Sequence, residues 1–322
     1  MLTDFLPLAP HNCLPLAVHT AAKFGSQTQD LNISLTAVGL LWNLSDYFYQ
    51  NQDNLKTAII AEPKILPDLP GYKEMTVFDK LWMCLFSRLG DLCLDPRPAT
   101  RKSAGQTLFS TIAAHGSLLA VTTWRAVLWQ VLFPLLDKVG IESGLASTER
   151  SHDKDMLIHH SRNTEQKQWS ETQVLTISGV ARVFVTKRSL LHTLGDFPKA
   201  WRLLLEHVEK LALSSTQEVS LAALKAFHEM VVGAGEGEEG EWAAAWRSWL
   251  AIGQKVSQPR SQSEEEGAAS QAFLTALYHI FPLLHPHICT KLTPSDVTKL
   301  TSVTMACLAL PVQVEFFHKV LY

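Results

Sequence analysis

Charge is the scarcest property of this sequence: Asp, Glu, Lys and Arg make up 18% of 322 residues, against about 25% in an ordinary soluble domain. Much side-chain surface must therefore be buried. The 28 basic and 31 acidic side chains nearly cancel. That removes the electrostatic footprint of a protein that grips a phosphate backbone, and argues against a nucleic-acid partner. Cysteine is sparse too. Cys13, Cys84, Cys93, Cys289 and Cys307 are too scattered for a disulfide framework, and their odd number would leave one unpaired. Reduced, mostly buried thiols are expected. No secretory leader is readable, because residues 1–10 lack a basic start, carry Asp4 and are broken by Pro7 and Pro10. A cytoplasmic chain is expected, in which the sequons at Asn32 and Asn43 are chance matches.

Long uninterrupted apolar runs are missing as well. The stretch 118–136 comes nearest, but Arg125 sits near its centre. An arginine there costs about 2.5–3.5 kcal/mol on the insertion scale, and Thr122, Thr123 and Gln130 add polar load. Read as a helix, the stretch places Trp124, Val127, Leu128, Val131, Leu132 and Leu135 on one stripe, which predicts a core helix and not a membrane span. Alternation of apolar and polar residues, the mark of a strand, is hard to find anywhere.

Helical periodicity is what remains. Ile33, Ala37, Leu40, Leu41, Leu44 and Phe48 form one stripe, and Val219, Ala222, Ala223, Ala226, Phe227 and Met230 another. Three helices share a pattern: Ile33, Ala37 and Leu41; Thr100, Ala104 and Leu108; Val219, Ala223 and Phe227. A small residue at the centre of a buried stripe lets a neighbouring helix approach, and the large residues on either side fill its grooves. Helices of this kind bury their faces only by stacking in pairs of about 40 residues.

The segment Asp95-Pro96-Arg97-Pro98-Ala99-Thr100-Arg101-Lys102-Ser103-Ala104 looks like the turn and second helix of a HEAT repeat. The expected fold is all-α, a HEAT/armadillo-like helical-repeat solenoid. Its expected divisions are first repeats at 1–50, a linker or loop at 51–74, HEAT-like repeats at 75–139 and a loop at 140–155. Further repeats follow at 156–252, then an acidic linker at 253–270 and terminal helices at 271–322.

Longer stretches are more specific. LNISLTAVGLLWN (31–43), RPATRKSAGQTLFSTIAAHG (97–116), LIHHSR (157–162) and EVSLAALKAF (218–227) closely resemble the C-terminal region of the monensin-sensitivity family. Its members are Golgi and endosome scaffolds related to the large Arf guanine-nucleotide exchange factors. The resemblance implies a non-catalytic scaffold, peripheral on endosome or trans-Golgi membranes, that serves endosome-to-Golgi sorting. It implies as partners a Dopey-type scaffold, an endosomal lipid flippase and retromer-associated machinery, and it implies no cofactor. Nothing resembles the exchange domain of the larger relatives, so exchange activity does not carry over. The alternative is a regulator or exchange-factor-like binder of an Arf-family GTPase. The chain starts deep inside a family member and departs from the family's ending after about Met305. A fragment or alternative product is expected, with an apolar face that a missing repeat would cover.

Residues that invite a chemical reading are few. Gly235-Glu236-Gly237-Glu238-Glu239-Gly240 spells the dinucleotide fingerprint, but a helix precedes it and its carboxylates would repel a pyrophosphate; an acidic linker is expected. His285, His287, Cys289 and Cys307 include metal-capable side chains without the spacing of a zinc motif, so a loop after the helix ending at Leu284 is expected. His159 and His160 lack a nucleophile elbow. Trp242, Trp246 and Trp249 share one side of a helix and read as core, with partner contact as the alternative. Arg97, Arg101 and Lys102 crowd a helix start, where cations oppose the macrodipole and call for an outside partner. A carboxylate in an adjacent repeat is the structural candidate, and an acidic headgroup or protein surface the functional one.

Overall fold

The computed structural model describes residues 6–58, 75–146, 164–235, 237–257 and 270–309, and no strand occurs among them. The chain divides into two compact units, Met1–Leu194 and Gly195–Tyr322. In the first unit α1 (Leu14–Ser26) and α2 (Leu31–Gln50) form a pair, followed by the short α3 (Gln52–Ala58). A second pair is α4 (Val77–Leu92) with α5 (Pro98–His115). The third joins α6 (Val121–Ala126), a π-helical segment (Val127–Leu132) and α7 (Phe133–Ala146) to α8 (Glu165–Thr186), with α9 (Arg188–Leu191) after it.

Packing follows a two-layer plan. Across the layers α1 meets α2, α4 meets α5 and α7 meets α8; along them α1 meets α4, α4 the π segment, α2 meets α5 and α5 meets α8. The second unit repeats the plan with α10 (Phe197–Ala212), α11 (Gln217–Ala234), α12 (Glu239–Val256), α13 (Gln271–Ile288) and α14 (Pro294–Ala309). There α10 packs on α11 and α12, α12 on α13 and α14, and α11 on α13. Each helix buries a stripe only because a pair stacks on it, which is the construction of a HEAT/armadillo-like solenoid.

Helix starts follow from local chemistry. Asp30, Thr76, Thr164 and Ser270 each accept a hydrogen bond from a backbone N–H in the first turn of α2, α4, α8 and α13. Proline stands in the first turn of α1, α5 and α10, where its missing N–H costs nothing.

The repeat pattern is realised in the second helix of three pairs. Ala37, Ala104 and Ala223 are buried, as are Leu41, Leu108 and Phe227. The leading position differs: Thr100 and Val219 are fully buried, whereas Ile33 is 46% exposed.

Several expected loops are helical in part. Residues 52–58 form α3, anchored by the buried Leu55. α7 runs on through Gly140 and Gly144 to Ala146, because the buried Leu136 and Val139 hold it while a helical glycine costs only about 1 kcal/mol. α12 continues to Val256, whose side chain is buried. α13 continues through Pro282 and Pro286 to Ile288. There the His287 ring stacks on Trp242 at 3.7 Å and Ile288 is buried, so packing outweighs the missing N–H groups. The stretch 118–136 is not one regular helix: it opens on a 3-10 turn (Gly116–Leu118) and passes through the π segment, yet every residue of its predicted stripe is buried.

Two predictions follow from the packing. Ala104→Leu and Ala223→Leu should each cost about 1–3 kcal/mol by overpacking, whereas Ala243→Leu, on the exposed side of α12, should stay within about 0.5 kcal/mol. Urea unfolding midpoints compare them, and equal curves for all three would contradict the stacking. The second concerns Asp79, buried on α4, whose Oδ2 accepts from the Thr123 hydroxyl at 2.9 Å. Burial pushes this carboxyl above its ordinary 3.8, opposed by hydrogen bonds from Thr123, Thr76 and the Ala120 N–H and by the charge of Lys56. With the folded value raised, nothing is lost below 3.8, and stability falls as pH rises through the folded value. Asp79→Asn should therefore fare better relative to the parent at about pH 7 than at about pH 4. A stability difference that is the same at both pH values would contradict this.

Candidate interaction surfaces

The two arginines at the start of α5 are turned inward. Asp95, buried in the turn before the helix, accepts from the backbone N–H, Nε and Nη2 of Arg97 at 2.8–2.9 Å. Thus fixed, Arg97 reaches the preceding pair. Its Nη2 donates to the Gly25 carbonyl at 2.9 Å, and its Nη1 to the Gln27 carbonyl and the Ser34 hydroxyl at 2.6 and 2.9 Å. Asp95 holds the Arg97 guanidinium above its ordinary pKa. Arg101 faces the other way. It is 1% exposed, donates to the carbonyls of Asp95 and Pro96 at 2.8 Å and to the Thr172 hydroxyl at 3.1 Å, and lies 3.9 Å from the Trp169 ring centroid. Burial lowers its pKa, opposed by the charges of Asp95 and Glu165. Lys102 is exposed on the same helix and takes no part in this arrangement. The carboxylate bonded to Arg97 belongs to the same turn, Glu165 of the adjacent pair acts on Arg101 through its charge, and the neighbouring helices supply carbonyls, hydroxyls and a ring.

The tryptophan row of α12 is core. Trp242, Trp246 and Trp249 are 5–6% exposed. Trp242 donates to the Gly237 carbonyl at 2.9 Å and Trp249 to the Leu277 carbonyl at 2.8 Å, while Trp246 and Trp249 stack at 5.4 Å against Phe281. The glycine-rich segment before them follows a helix, and Gly235 takes a positive φ of 55° at its end, which a side chain would strain. Cys84 and Cys93 are buried, which pushes their thiols up to about 11 and about 12 and leaves them unreactive at neutral pH. Cys13 and Cys289 are exposed, so of the four described cysteines half are buried where most were expected to be. Among the described residues no group of three His, Cys, Asp or Glu is placed to hold a metal. His159 and His160, and the side chain of Cys307, lie outside the described residues.

The surface that periodicity did not single out is on the first pair. The side of α1 and α2 turned away from α4 and α5 forms a groove of about 680 Å³ without a charged residue in its lining. Leu16, Ala17, Ala21 and Phe24 line one side and Ile33 and Leu40 the other. Phe24 is 55% and Leu16 46% exposed. The signal was present in α1, which is apolar on two faces: Val18 and Ala22 are buried away from the groove while Leu16 and Phe24 are exposed along it.

Stacked helix pairs joined by an internal arginine clasp, with an open apolar groove on the first, define a helical-repeat protein. The chain belongs to the Mon2 family: residues 3–241 and 236–321 match the C-terminal region of Mon2 protein. It is 52% identical over 346 aligned residues to a Protein MON2 homolog of Drosophila melanogaster, covering 98% of this chain and 20% of that one. To the Protein MON2 homolog of Homo sapiens it is 40% identical, with 97% of this chain and 22% of the relative covered. A shorter match, 34% over 105 residues and 32% of this chain, is to a brefeldin A-inhibited guanine nucleotide-exchange protein of Arabidopsis thaliana. The chain thus spans about a fifth of the length of the MON2 relatives it matches. No solved structure matches it. Among the described residues no helix is long and apolar enough to cross a membrane.

The clasp carries a prediction. Arg97→Lys keeps the charge but not the fork, so it should cost about 2 kcal/mol, whereas Lys102→Gln should stay within about 0.5 kcal/mol. Unfolding curves of the two variants check it, and parental stability of Arg97→Lys would contradict the clasp.

Proposed function

We propose that this chain is a scaffold segment for endosome-to-Golgi sorting, peripheral on endosome or trans-Golgi membranes, whose apolar groove on α1 and α2 seats an amphipathic helix of a partner protein. The groove carries the reading. Elsewhere in the unit the α4 and α5 pair is packed on both sides, by α1 and α2 and by the π segment and α8. An uncharged channel between two helices matches the apolar ridge of one more helix. Family membership supports the setting, and the resemblance supplies the candidate partners: a Dopey-type scaffold, an endosomal lipid flippase and retromer-associated machinery.

The reading separates from that of an exchange factor or GTPase regulator, which the plant relative's name brings to mind. Capture from cells should recover trafficking partners with the parent chain and lose them with Leu16→Glu and Phe24→Glu. Both substitutions lie at exposed positions, so the melting curve should hardly move. An Arf-family GTPase loaded with labelled nucleotide should release it at an unchanged rate in the presence of the chain. Faster release, or partner recovery indifferent to both substitutions, would overturn the groove reading. So would binding of a second copy of this chain in place of a partner.

A further inference from the structure

On another side of α1, where it packs against α4, lies a polar cleft of about 400 Å³. His19, Lys23 and Ser26 of α1 line it together with Arg88 and Asp91 of α4 and Asp95 beyond. Two of its buried nitrogens, His19 Nδ1 and Arg88 Nε, have no hydrogen-bond partner. An arginine Nε–H is a donor only, so its missing partner is an acceptor. Burial first, then the charges of Arg88 and Lys23, lowers the His19 pKa.

We propose that this cleft receives a carboxylate of an acidic peptide segment on a partner protein, with Arg88 and Lys23 as its charged donors and His19 as the third. The two carboxylates in the wall decide between anions. Both oxygens of Asp95 are taken by Arg97, while Asp91 meets Arg88 at 3.3 Å with more than half of its side chain exposed. With Asp95 paired to Arg97, Lys23 and Arg88 face Asp91 alone, which leaves one net positive charge that a single carboxylate neutralises and a phosphate dianion exceeds. A peptide brings one negative charge per carboxylate together with N–H groups, which the outer oxygen of Asp91 accepts. The cleft is independent of the apolar groove, and its volume suits one or two side chains.

The test uses the full chain and three probes: a C-terminally amidated peptide rich in glutamate, a neutral peptide with a free C-terminus, and inorganic phosphate. NMR of the His19 ring reports occupancy. Saturating glutamate peptide should shift its signals and move its titration midpoint upward, because the carboxylate offsets Lys23 and Arg88 while Asp91 and Asp95 stay in place. Lys23→Gln and Arg88→Gln should each weaken binding about tenfold. Lys225→Gln, exposed on α11, and Leu16→Glu in the groove should leave it unchanged. Lys23 is exposed, so its variant tests the cleft even where Arg88→Gln fails to fold. Preference for the amidated glutamate peptide supports the proposal, and preference for the neutral peptide's free C-terminus would overturn it. Silence of the His19 signals, binding indifferent to Lys23→Gln, or displacement of peptide by phosphate at lower concentration would overturn it.

Discussion

The turn before α5 joins three helix pairs through one carboxylate and two guanidinium groups. Asp95 neutralises and orients Arg97, which then satisfies carbonyls that the end of α1 and the loop after it leave without helical partners. Four residues on, Arg101 points to the following pair and rests on Trp169 of α8. Cations at a helix start are unfavourable by the macrodipole alone. Here the cost is offset because Arg97 meets the Asp95 carboxylate and carbonyl oxygens of the preceding pair, while Arg101 meets the carbonyls of its own turn and the Thr172 hydroxyl. Lysine has neither the planar fork nor the stacking face, so the solution is specific to arginine.

The clasp works only if the helices approach closely, and the interface of α5 with α8 shows how. A Cβ on Gly179 would run into the Phe109 ring, so that glycine is the space the ring occupies. Ala104 and Thr100 present small side chains on the same helix as Phe109, and both are fully buried. Close packing and the polar clasp thus support each other. Dispersion contacts hold the helices near enough for Arg101 to reach Thr172, and the hydrogen bond pins their register.

The fold was legible because helical periodicity and small-residue spacing are local properties. Ala37, Ala104 and Ala223 were readable as contact points from spacing alone, and the core role of the tryptophan row from its size. Less legible were features that depend on what lies across an interface. Pro286 reads as a helix end, yet His287 stacked on Trp242 carries the helix past it. Ile33 reads as buried by analogy with Thr100 and Val219, but periodicity says which face is apolar, not whether another helix covers it. The direction of Arg97 was hidden for the same reason, since two of its partners are backbone oxygens some 70 residues away in sequence, which no pattern of side chains records.

These constraints divide the work of recognition within the first unit. The groups that look most like binding residues in the sequence, two arginines and three tryptophans across the chain, are consumed by internal joints. Under the proposed function, specificity for partners is left to surfaces those joints do not use. α1 is such a surface: it is held in place by Arg97 at its end and by α2 and α4 at its sides, yet it keeps an uncharged groove on one side and a cleft lined by charged residues on another. A rigid helix bearing two chemically unlike surfaces suits a scaffold. An apolar ridge supplies affinity through burial, a charged contact supplies discrimination, and neither requires the backbone to move.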